Sequence, residues 1–395
     1  MRYFNYLSED EALAAFYKQP APFCNHSSKE MLSYAAGAAL YSPATRQTIA
    51  EDILHQKHEG LVAMVFDLED AIGDHQVEAA EASLQQQLFK LASYVEIGAL
   101  SEDRVPLLFV RVRSPEQMRR MILRFEARVA LITGFFFPKF TPERGEDFFR
   151  ILEEYNRHKE QSAPTLYGSP ILESESIIYL EQRAVTLAGS KAIVDRYRDY
   201  VLNVRIGATD FSSLFGVRRS VHHTIYDIAV IRDCIADIIN TFGRAGDGYQ
   251  ISGPVWEYFP HRGTELSPPE ERVERIARQY RLRPTHPAEC GLIREVLLDK
   301  ENGLVGKTMI HPSQLRIVQT LHAVTREEYL DAISIVQSQD GRQGVVRSEY
   351  ANKMNEVKPH LNWAKRILAK ANVYGVLHEQ DNFHSPVSKQ GQAYV

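Results

Sequence analysis

Ionisable side chains recur where short apolar runs of the sequence end. Glu173 and Asp210 each follow such a run, as do Arg111 and a further candidate for substrate binding, Lys139. Two converging carboxylates can hold Mg2+, which takes one or two protein carboxylates and completes its octahedron with water and substrate oxygens. The planar fork of Arg111 fits a substrate carboxylate. Each group has an ordinary alternative, because carboxylates are favoured at helix N-termini and an arginine can be a structural ion-pair partner.

The remaining candidates occupy the same kind of position. Glu69 and Asp70 belong to an acidic cluster after the second run, where a carboxylate can act in catalysis or only hold Arg and Lys side chains in place. Arg46, Ser252 and His311 follow the first, seventh and eighth runs and are candidates for substrate binding. His311 is equally compatible with a core histidine that the backbone satisfies. The groups together are hard to explain as ordinary solvated polarity.

The apolar runs predict the strands that must position these side chains. They are largely apolar rather than alternating, as strands buried on both faces are, and stretches with helical spacing lie between them. Eight alternations of strand and helix predict a parallel sheet closed into a (β/α)8 TIM barrel, whose active site lies at the strand C-termini. The runs are Ala38–Tyr41, Leu61–Phe66, Pro106–Val112, Leu131–Phe137, Thr165–Leu172, Val201–Ile206, Tyr249–Ile251 and Leu304–Ile310.

The chain is longer than a barrel requires. Its 395 residues suit one barrel of roughly 250–300 residues plus an appendage. Residues 1–325 are predicted to form the catalytic barrel, with a charged, proline-containing surface insertion at 257–290. Residues 326–395 are predicted to form a C-terminal helical appendage that ends in a polar, frayed tail from Glu379.

Composition excludes several classes of partner. The formal net charge of −5 gives no electrostatic footprint for nucleic acid. No stretch reaches about 18 uninterrupted apolar residues, so the sequence predicts no membrane span. The three cysteines are isolated, which is typical of reduced thiols, and the N-terminus has no apolar signal region. We therefore expect a cytoplasmic protein.

Six motifs in series carry a resemblance to a known family. Their order resembles that of the citrate lyase β-subunit, or HpcH/HpaI aldolase-like, superfamily, whose motifs include D-L-E-D-A-V and G-K-W-x-I-H-P-S-Q. The branch that the chain resembles is the divergent one associated with tellurium-resistance gene clusters. The matching segments are Phe66–Ile72, Val110–Val112, Phe137–Lys139, Ile171–Ser174, Gly207–Asp210 and Gly306–Gln314.

The resemblance implies a fold, a cofactor and site residues. It implies a TIM barrel assembled as a trimer or hexamer, with Mg2+ bound by Glu173 and Asp210. It implies that Arg111 binds a keto-acid or its enolate during Claisen or aldol chemistry, often on a CoA thioester. A segment of the appendage resembles the family's K-M-V-D-x-P stretch, which places Glu356 where an acid/base reaches the mouth of a neighbouring subunit. A solvent-exposed glutamate near a helix N-terminus is the alternative for Glu356.

Departures from the family pattern surround the substrate side of the mouth. Arg113 replaces the family's asparagine after the third strand, the first-strand motif before Arg46 lacks its glycine, and Ser252 replaces an aspartate. These changes put the use of CoA in doubt. The sequence therefore predicts a Mg2+-dependent carbon–carbon lyase or aldolase that acts on a small keto- or hydroxy-acid, which can carry CoA. The alternatives are metal-dependent hydrolysis of a thioester or phosphoester and a non-catalytic barrel scaffold.

Overall fold

Eight parallel strands form the centre of the computed structural model, which describes residues 1–261 and 271–379. Their order around the sheet is β8-β7-β6-β5-β4-β3-β2-β9, so neighbours in space are neighbours in sequence except at the seam between the last strand and the first. The predicted (β/α)8 barrel is confirmed. The strands of the barrel are β2 (Ala39–Pro43), β3 (Ala63–Asp67), β4 (Leu107–Arg111), β5 (Ile132–Phe137), β6 (Tyr167–Leu172), β7 (Val204–Ile206), β8 (Ile251–Ser252) and β9 (Thr308–Met309), and they follow a short outer strand, β1 (Phe16–Lys18).

The barrel closes through its two shortest strands. β9 pairs with β2 in parallel, with Ala39 opposite Thr308, and a bridge between Gly253 and Lys307 joins β8 to β9. Gly306, just before this bridge, has φ +73°, and a Cβ there would lie 2.1 Å from the Gly37 carbonyl carbon. Its N–H donates to Nε2 of the buried His322 across 2.7 Å. The seam therefore needs glycine at this position.

Helices surround the barrel and cover the outer face of its strands. α5 shows why such a segment is helical: the Ser114 hydroxyl accepts from the N–H of Gln117, Pro115 occupies the first turn, and Met118 and Met121 face the core. The helices in chain order are α1 (Glu9–Ala15), α2 (Lys29–Ala35), α3 (Ile49–Leu54), α4 (Val77–Glu96), α5 (Pro115–Phe125), α6 (Pro142–His158), α7 (Glu175–Ile178), α8 (Leu180–Arg196), α9 (Ala208–Leu214), α10 (Ala229–Phe242), α11 (Glu271–Gln279), α12 (Pro287–Glu301), α13 (Gln314–His322), α14 (Arg326–Gln337) and α15 (Val357–Tyr374). In the part of the chain that the structure describes, no helix has both the length and the apolar content needed to cross a membrane.

The C-terminal segment packs on itself and on the N-terminus. α14 and α15 pack together around Ala332, Ile335 and Ala364. A hairpin of β10 (Val345–Arg347) and β11 (Met354–Glu356) precedes α15, and β12 (Val376–Leu377) pairs antiparallel with β1. The last strand thus ties the predicted appendage to the first twenty residues of the chain.

The predicted insertion at 257–290 contains regular structure. It includes α11 and the first turn of α12, and Val273 and Tyr280 are buried there. Residues 262–270 of this insertion lie outside the described residues, as do residues 380–395 of the predicted tail. The division of the chain into barrel, insertion and appendage stays a prediction.

Candidate active site

The C-terminal ends of the barrel strands surround a cavity of about 620 Å3. Four of the predicted site residues line it, and they come from four different strand ends: Asp70, Arg111, Glu173 and Asp210. Glu69 and Lys139 contact these four without lining the cavity themselves. Six of the ten predicted residues are therefore brought together, as expected for a TIM barrel mouth.

Arg111 at the end of β4 is buried and bonds to three acids. Its Nε donates to Oδ1 of Asp67 across 2.7 Å, and its Nη2 donates to Oδ2 of the same carboxylate. Its Nη1 lies 2.9 Å from Oε2 of Glu69 and 3.1 Å from Oδ2 of Asp70. Burial lowers the pKa of Arg111, but the bond to Asp67 and the surrounding negative charge outweigh it and hold the pKa well above its usual value. Arg111 is therefore a permanent cation shared by three carboxylates.

The acidic cluster after β3 is a turn organised by Asp67. The side chain of Asp67 accepts from the N–H groups of Glu69, at 2.9 Å, and Ala71, at 3.1 Å. This turn holds Asp67 toward Arg111 and leaves Asp70 half exposed at the cavity wall. Both Asp67 and Asp70 line the cavity, but Asp67 is buried and bonded to Arg111, whereas Asp70 is half exposed.

Glu173, at the end of β6, is held by the backbone of two neighbouring segments. The N–H of Lys139 donates to Oε1 of Glu173 across 2.8 Å, and Lys139 has φ +50°, which turns this N–H toward the neighbouring strand end. Gly207 provides the space that the carboxylate occupies, because a Cβ at Gly207 would lie 2.0 Å from Oε2 of Glu173. The Gly-Ala-Thr-Asp segment therefore both admits Glu173 and supplies Asp210 in the first turn of α9.

The Glu173 and Asp210 carboxyl groups perturb each other. Burial, and then the negative charge of Asp210, raise the pKa of Glu173 to about 8. Burial and the charge of Asp70 raise the pKa of Asp210, against the opposing charges of Lys139 and Arg111. Glu173 is buried and Asp210 is partly exposed, and a cation between the two carboxylates would relieve the repulsion that raises the pKa of Glu173.

Lys139 spans the carboxylates from the side of the mouth. Its Nζ donates to Oε1 of Glu69 and lies 3.7 Å from Asp70 and 3.9 Å from Asp210. Burial lowers the pKa of Lys139, but the hydrogen bond to Glu69 and the nearby acids outweigh burial, and the pKa is raised. The ammonium group thus neutralises part of the negative charge and keeps Glu69 in place.

The donor set fits a hard divalent cation. No cluster of three or more His, Cys, Asp or Glu side chains arranged to hold a metal occurs within residues 1–261 and 271–379. Mg2+ does not require one, because it keeps several waters and is bound by one or two carboxylates plus substrate oxygens. Arg111 engages neither Glu173 nor Asp210, which follow neighbouring strands, and the other cavity-lining carboxylate outside the Arg111 cluster, Glu257, lies 3.5 Å from the Arg219 guanidinium. Glu173 and Asp210 are therefore the best candidates for a metal site.

Two predicted substrate-binding residues are satisfied locally and lie outside the cavity wall. Arg46 forms an ion pair with Asp52 and a hydrogen bond with Thr48, both in the segment that follows its own strand. Ser252 is buried, and its hydroxyl donates to the carbonyl of Gly37 across 2.7 Å inside the barrel. The structure thus offers neither side chain to a ligand in the cavity.

His311 and Glu356 also lie apart from the cavity in this chain. The His311 ring stacks on Phe259 with 4.4 Å between centroids, and its Nδ1 contacts the Ser313 hydroxyl at 2.8 Å. Burial lowers the pKa of His311. Glu356 is exposed at the end of the hairpin, immediately before α15. A role for Glu356 in catalysis therefore requires the cavity of another molecule.

The predicted site residues do not include Arg205 and Glu257, two charged residues that line the cavity. Arg205 lies in the middle of β7 and lines the same cavity as Arg111 and Glu173. Arg205 was not predicted because it lies inside a strand, whereas the active site of a TIM barrel is expected at the strand ends. The available signal was an arginine between Val204 and Ile206 in an otherwise apolar run.

Comparison with known proteins gives one family and one fold. A family model described as C-C bond lyase of the TIM-barrel fold matches residues 30–376. A citrate lyase from Burkholderia xenovorans LB400 is 14% identical, with a TM-score of 0.57 over 86% of this chain and 93% of that chain. Protein CitE from Mycobacterium tuberculosis, solved with magnesium, acetoacetate and coenzyme A, is 18% identical, with a TM-score of 0.49 over 86% of this chain and 99% of that chain. At these identities the Burkholderia structure supports the fold alone. No curated protein matches the chain.

Proposed function

The chain belongs to the C–C bond lyases of the TIM-barrel fold, and from this premise we propose that it cleaves a keto- or hydroxy-acid in the cavity at the barrel mouth, with Mg2+ held by Glu173 and Asp210. Lyase chemistry follows from the family. The metal, the substrate class and the residue roles are the proposal. The observation that carries it is the pair of carboxylates, from the ends of β6 and β7, that line the cavity beside Arg111.

The charge balance of the mouth supports a bound cation. Five carboxylates, those of Asp67, Glu69, Asp70, Glu173 and Asp210, stand against three cations, those of Arg111, Lys139 and Arg205, which leaves a formal charge of −2 when all are ionised. A sixth carboxylate, that of Glu257, also lines the cavity, but the Arg219 guanidinium lies 3.5 Å from it and balances its charge. When bound, Mg2+ supplies a Lewis acid for the substrate oxygen on which negative charge develops. The N–H of Lys139 and the space left by Gly207 fix the Glu173 carboxylate. This proposed Mg2+ ligand is therefore oriented before any substrate binds.

Asp70 is the residue best placed to move a proton. Burial raises the pKa of Asp70, but its hydrogen bond with Glu69 and the charges of Arg111 and Lys139 outweigh burial and keep the pKa below its usual range. Asp70 is therefore an ionised base at the cavity wall. On a substrate with a hydroxyl at the β-carbon, it takes the hydroxyl proton as the carbonyl forms. The bond between the α- and β-carbons breaks, and its electron pair moves onto the enolate oxygen.

Arg111 stabilises the charge that this step creates. Its guanidinium lies at the cavity wall, and its buried position strengthens its attraction for an enolate or carboxylate. The bonds to Asp67 keep the guanidinium in one orientation, so no reorganisation is needed during the reaction. A proton returned to the α-carbon completes the cleavage and leaves two shorter products.

Glu356 is proposed as the donor of that last proton, and it would act in the cavity of a neighbouring subunit. Glu356 is exposed in this chain, and two apolar residues of the same hairpin, Val345 and Met354, are also exposed. A trimer or hexamer that buries the hairpin against another barrel mouth would account for both features.

CoA is proposed to be a weak ligand or none, because the first-strand glycine and the seventh-strand aspartate of the family are replaced. A cytoplasmic location remains a prediction.

Product analysis tests the proposal directly. The purified chain is incubated with Mg2+ and a panel of keto- and hydroxy-acids, with and without acetyl-CoA, and the products are identified by NMR and mass spectrometry. Carbon–carbon cleavage gives two shorter skeletons, whereas hydrolysis leaves the acid skeleton intact. We expect cleavage that EDTA abolishes and Mg2+ restores. Hydrolysis alone, or cleavage unaffected by EDTA, would overturn the proposal.

A further inference from the structure

Arg205 is a buried cation inside the barrel. It belongs to β7, where it pairs in register with Ile171 on one side and Ser252 on the other, and its side chain points into the barrel and lines the cavity. Only 1% of its surface is exposed. A guanidinium in such a place needs partners, because an isolated buried charge costs far more free energy than a buried neutral group.

The partners that the protein supplies are few and uncharged. Nη1 of Arg205 donates to the carbonyl of Ala36 across 3.3 Å, and Nη2 donates to the hydroxyl of Thr308 across 3.0 Å. Nε has no hydrogen-bond partner in the described residues. Two hydrogen bonds, together with the side chain of Tyr41, thus serve a group with five N–H donors. Within residues 1–261 and 271–379, no carboxylate forms an ion pair with Arg205, and burial lowers its pKa.

The other arginine of the cavity, Arg111, has counter-ions from the protein. Three carboxylates surround it, and its Nε and both Nη atoms are engaged. Arg205 has instead an aromatic face, since its guanidinium carbon lies 4.6 Å from the ring centroid of Phe136. A cation–π contact of this kind is weaker than an ion pair and does not replace a counter-ion. Of the two cavity arginines, Arg205 is the one that lacks an anion.

We infer that Arg205 binds a second carboxylate of the substrate, and that the natural substrate is therefore a dicarboxylic acid. The inference rests on the proposed lyase site. One carboxylate of the substrate is assigned to the Mg2+ site of Glu173 and Asp210, and the other carboxylate is assigned to Arg205. The planar fork of a guanidinium matches a carboxylate with two parallel hydrogen bonds. Thr308, which already contacts Arg205 and also lines the cavity, offers a further polar contact beside that site.

A purely structural role makes an opposite prediction about stability. If Arg205 only held Ala36 and Thr308 in place, its removal would destabilise the barrel. If it awaits a ligand anion, replacing it with the apolar and similarly long methionine removes an uncompensated buried charge, and the free protein should be at least as stable. The thermal midpoint of Arg205→Met without ligand, compared with the parent, separates the two roles.

Binding of paired acids tests the inference. In calorimetric titrations at saturating Mg2+, malonate, succinate and glutarate are each compared with the monocarboxylate of equal chain length: propionate, butyrate or pentanoate. The parent should bind at least one diacid about tenfold more tightly than its partner, a difference of about 1.4 kcal/mol. Arg205→Met should bind both members of that pair equally, and Arg205→Lys should keep part of the preference. Arg232→Met is the control, because Arg232 is an exposed residue of α10 that pairs with Asp233 and does not line the cavity, and it should keep the full preference.

The outcomes separate this inference from the proposed function. A parent without preference in any pair, or an Arg205→Met variant that keeps the preference, overturns the inference. A fall in the thermal midpoint of that variant with an unchanged preference assigns Arg205 to structure. Titration with Mg2+ alone reports on the proposed function. If the parent binds Mg2+ while the preference survives in Arg205→Met, only the inference fails, and if the parent binds no Mg2+, the proposed function fails.

Discussion

The main-chain N–H of Lys139 donates to the Glu173 carboxylate across 2.8 Å, from a residue whose φ is +50°. The bond joins the end of β5 to the end of β6, so one strand orients the carboxylate that the next strand supplies. Because a backbone group makes the bond, it survives replacement of the Lys139 side chain. The Nζ of the same residue separately fixes Glu69. One residue therefore sets the positions of two acids.

Removal of either proposed metal ligand should weaken Mg2+ binding without unfolding the barrel. Glu173→Gln keeps an acceptor for the Lys139 N–H but loses the charge, and Asp210→Asn does the same in α9. We expect the affinity for Mg2+, measured by calorimetry, to fall at least about tenfold in each, since even changes behind a ligand cost 10–100-fold. Glu175→Gln, an exposed glutamate two residues from Glu173, is the control and should bind as the parent does. Unchanged affinity in Glu173→Gln would show that the site is misassigned.

Gly207→Ala should damage the same site through space alone. The new Cβ would lie 2.0 Å from Oε2 of Glu173, so the carboxylate must leave its position. We expect loss of Mg2+ affinity and of lyase activity, with a far-ultraviolet circular dichroism spectrum like that of the parent. Gly246→Ala is the matched control, since a Cβ there has no atom within 4 Å. Parent-like Mg2+ binding in Gly207→Ala would mean that the Glu173 position is not needed.

Arg111→Lys should be poor despite keeping its charge. Lysine cannot reproduce the two parallel bonds to Asp67, so both the guanidinium position and the acidic turn are disturbed. We expect kcat to fall about 100-fold, as when a preorganised donor is removed, and stability to fall by about 1–3 kcal/mol from the poorly satisfied Asp67. Steady-state kinetics and urea unfolding measure the two effects. Loss of stability with unchanged kcat/KM would make Arg111 structural only.

Acid should destabilise the fold through His322. Its Nε2 accepts from Gly306 and its Nδ1 faces the Val318 carbonyl at 2.8 Å, so the ring is neutral, and burial lowers its pKa to about 3. The unfolded chain binds a proton on this ring below about pH 6.5. Stability is therefore lost as the pH falls from 6.5 toward 3, by up to about 1.4 kcal/mol per pH unit.

Two variants isolate this contribution. The free energy of unfolding, measured with urea, is plotted against pH between pH 4 and 6.5. In His322→Gln the slope of this plot should be shallower by up to about 1.4 kcal/mol per pH unit, which corresponds to one bound proton. The exposed His55→Gln should leave the slope unchanged. An unaltered slope in His322→Gln would remove His322 as a source of acid sensitivity.

Hybrid oligomers test the role of Glu356. Glu356→Ala and Asp210→Ala should each be inactive as homo-oligomers, because each lacks one part of a shared site. Co-refolded mixtures should regain part of the activity, since some interfaces then combine an intact cavity with an intact Glu356. A chain that is monomeric in solution and shows no regain would end the shared-site proposal. Full activity of Glu356→Ala alone would remove Glu356 from the mechanism.

The sequence predicted the barrel and part of the candidate active site, because the strands and the residues that end them have a recognisable pattern. Strands buried on both faces are nearly continuous apolar runs, and the polar residue that ends each run marks the rim, which is why Asp70, Arg111, Glu173 and Asp210 were found together. The same rule selected Arg46, Ser252 and His311. These three residues do follow barrel strands, but each contacts another part of the protein. Their partners, Asp52, Gly37 and Phe259 respectively, cannot be identified from the sequence.

Two features of the site could not be predicted from the sequence. The bond from Lys139 to Glu173 is made by a backbone group, and its geometry depends on one dihedral angle. Arg205 is placed by the alternation of β7, which turns Val204 and Ile206 one way and the arginine the other. A three-residue strand gives too short a pattern to show which face is the barrel interior.

The pairing of β2 with β9 has a consequence for synthesis of the chain. Ala39 and Thr308 are paired although 269 residues separate them in sequence. At translation rates of ~5–20 residues per second, the open edge of β2 waits about 13–54 s on the ribosome for its partner. An unpaired strand edge is a template for association with other chains. The period before the last strand emerges is therefore when a nascent chain is most exposed to aggregation and has most to gain from a chaperone.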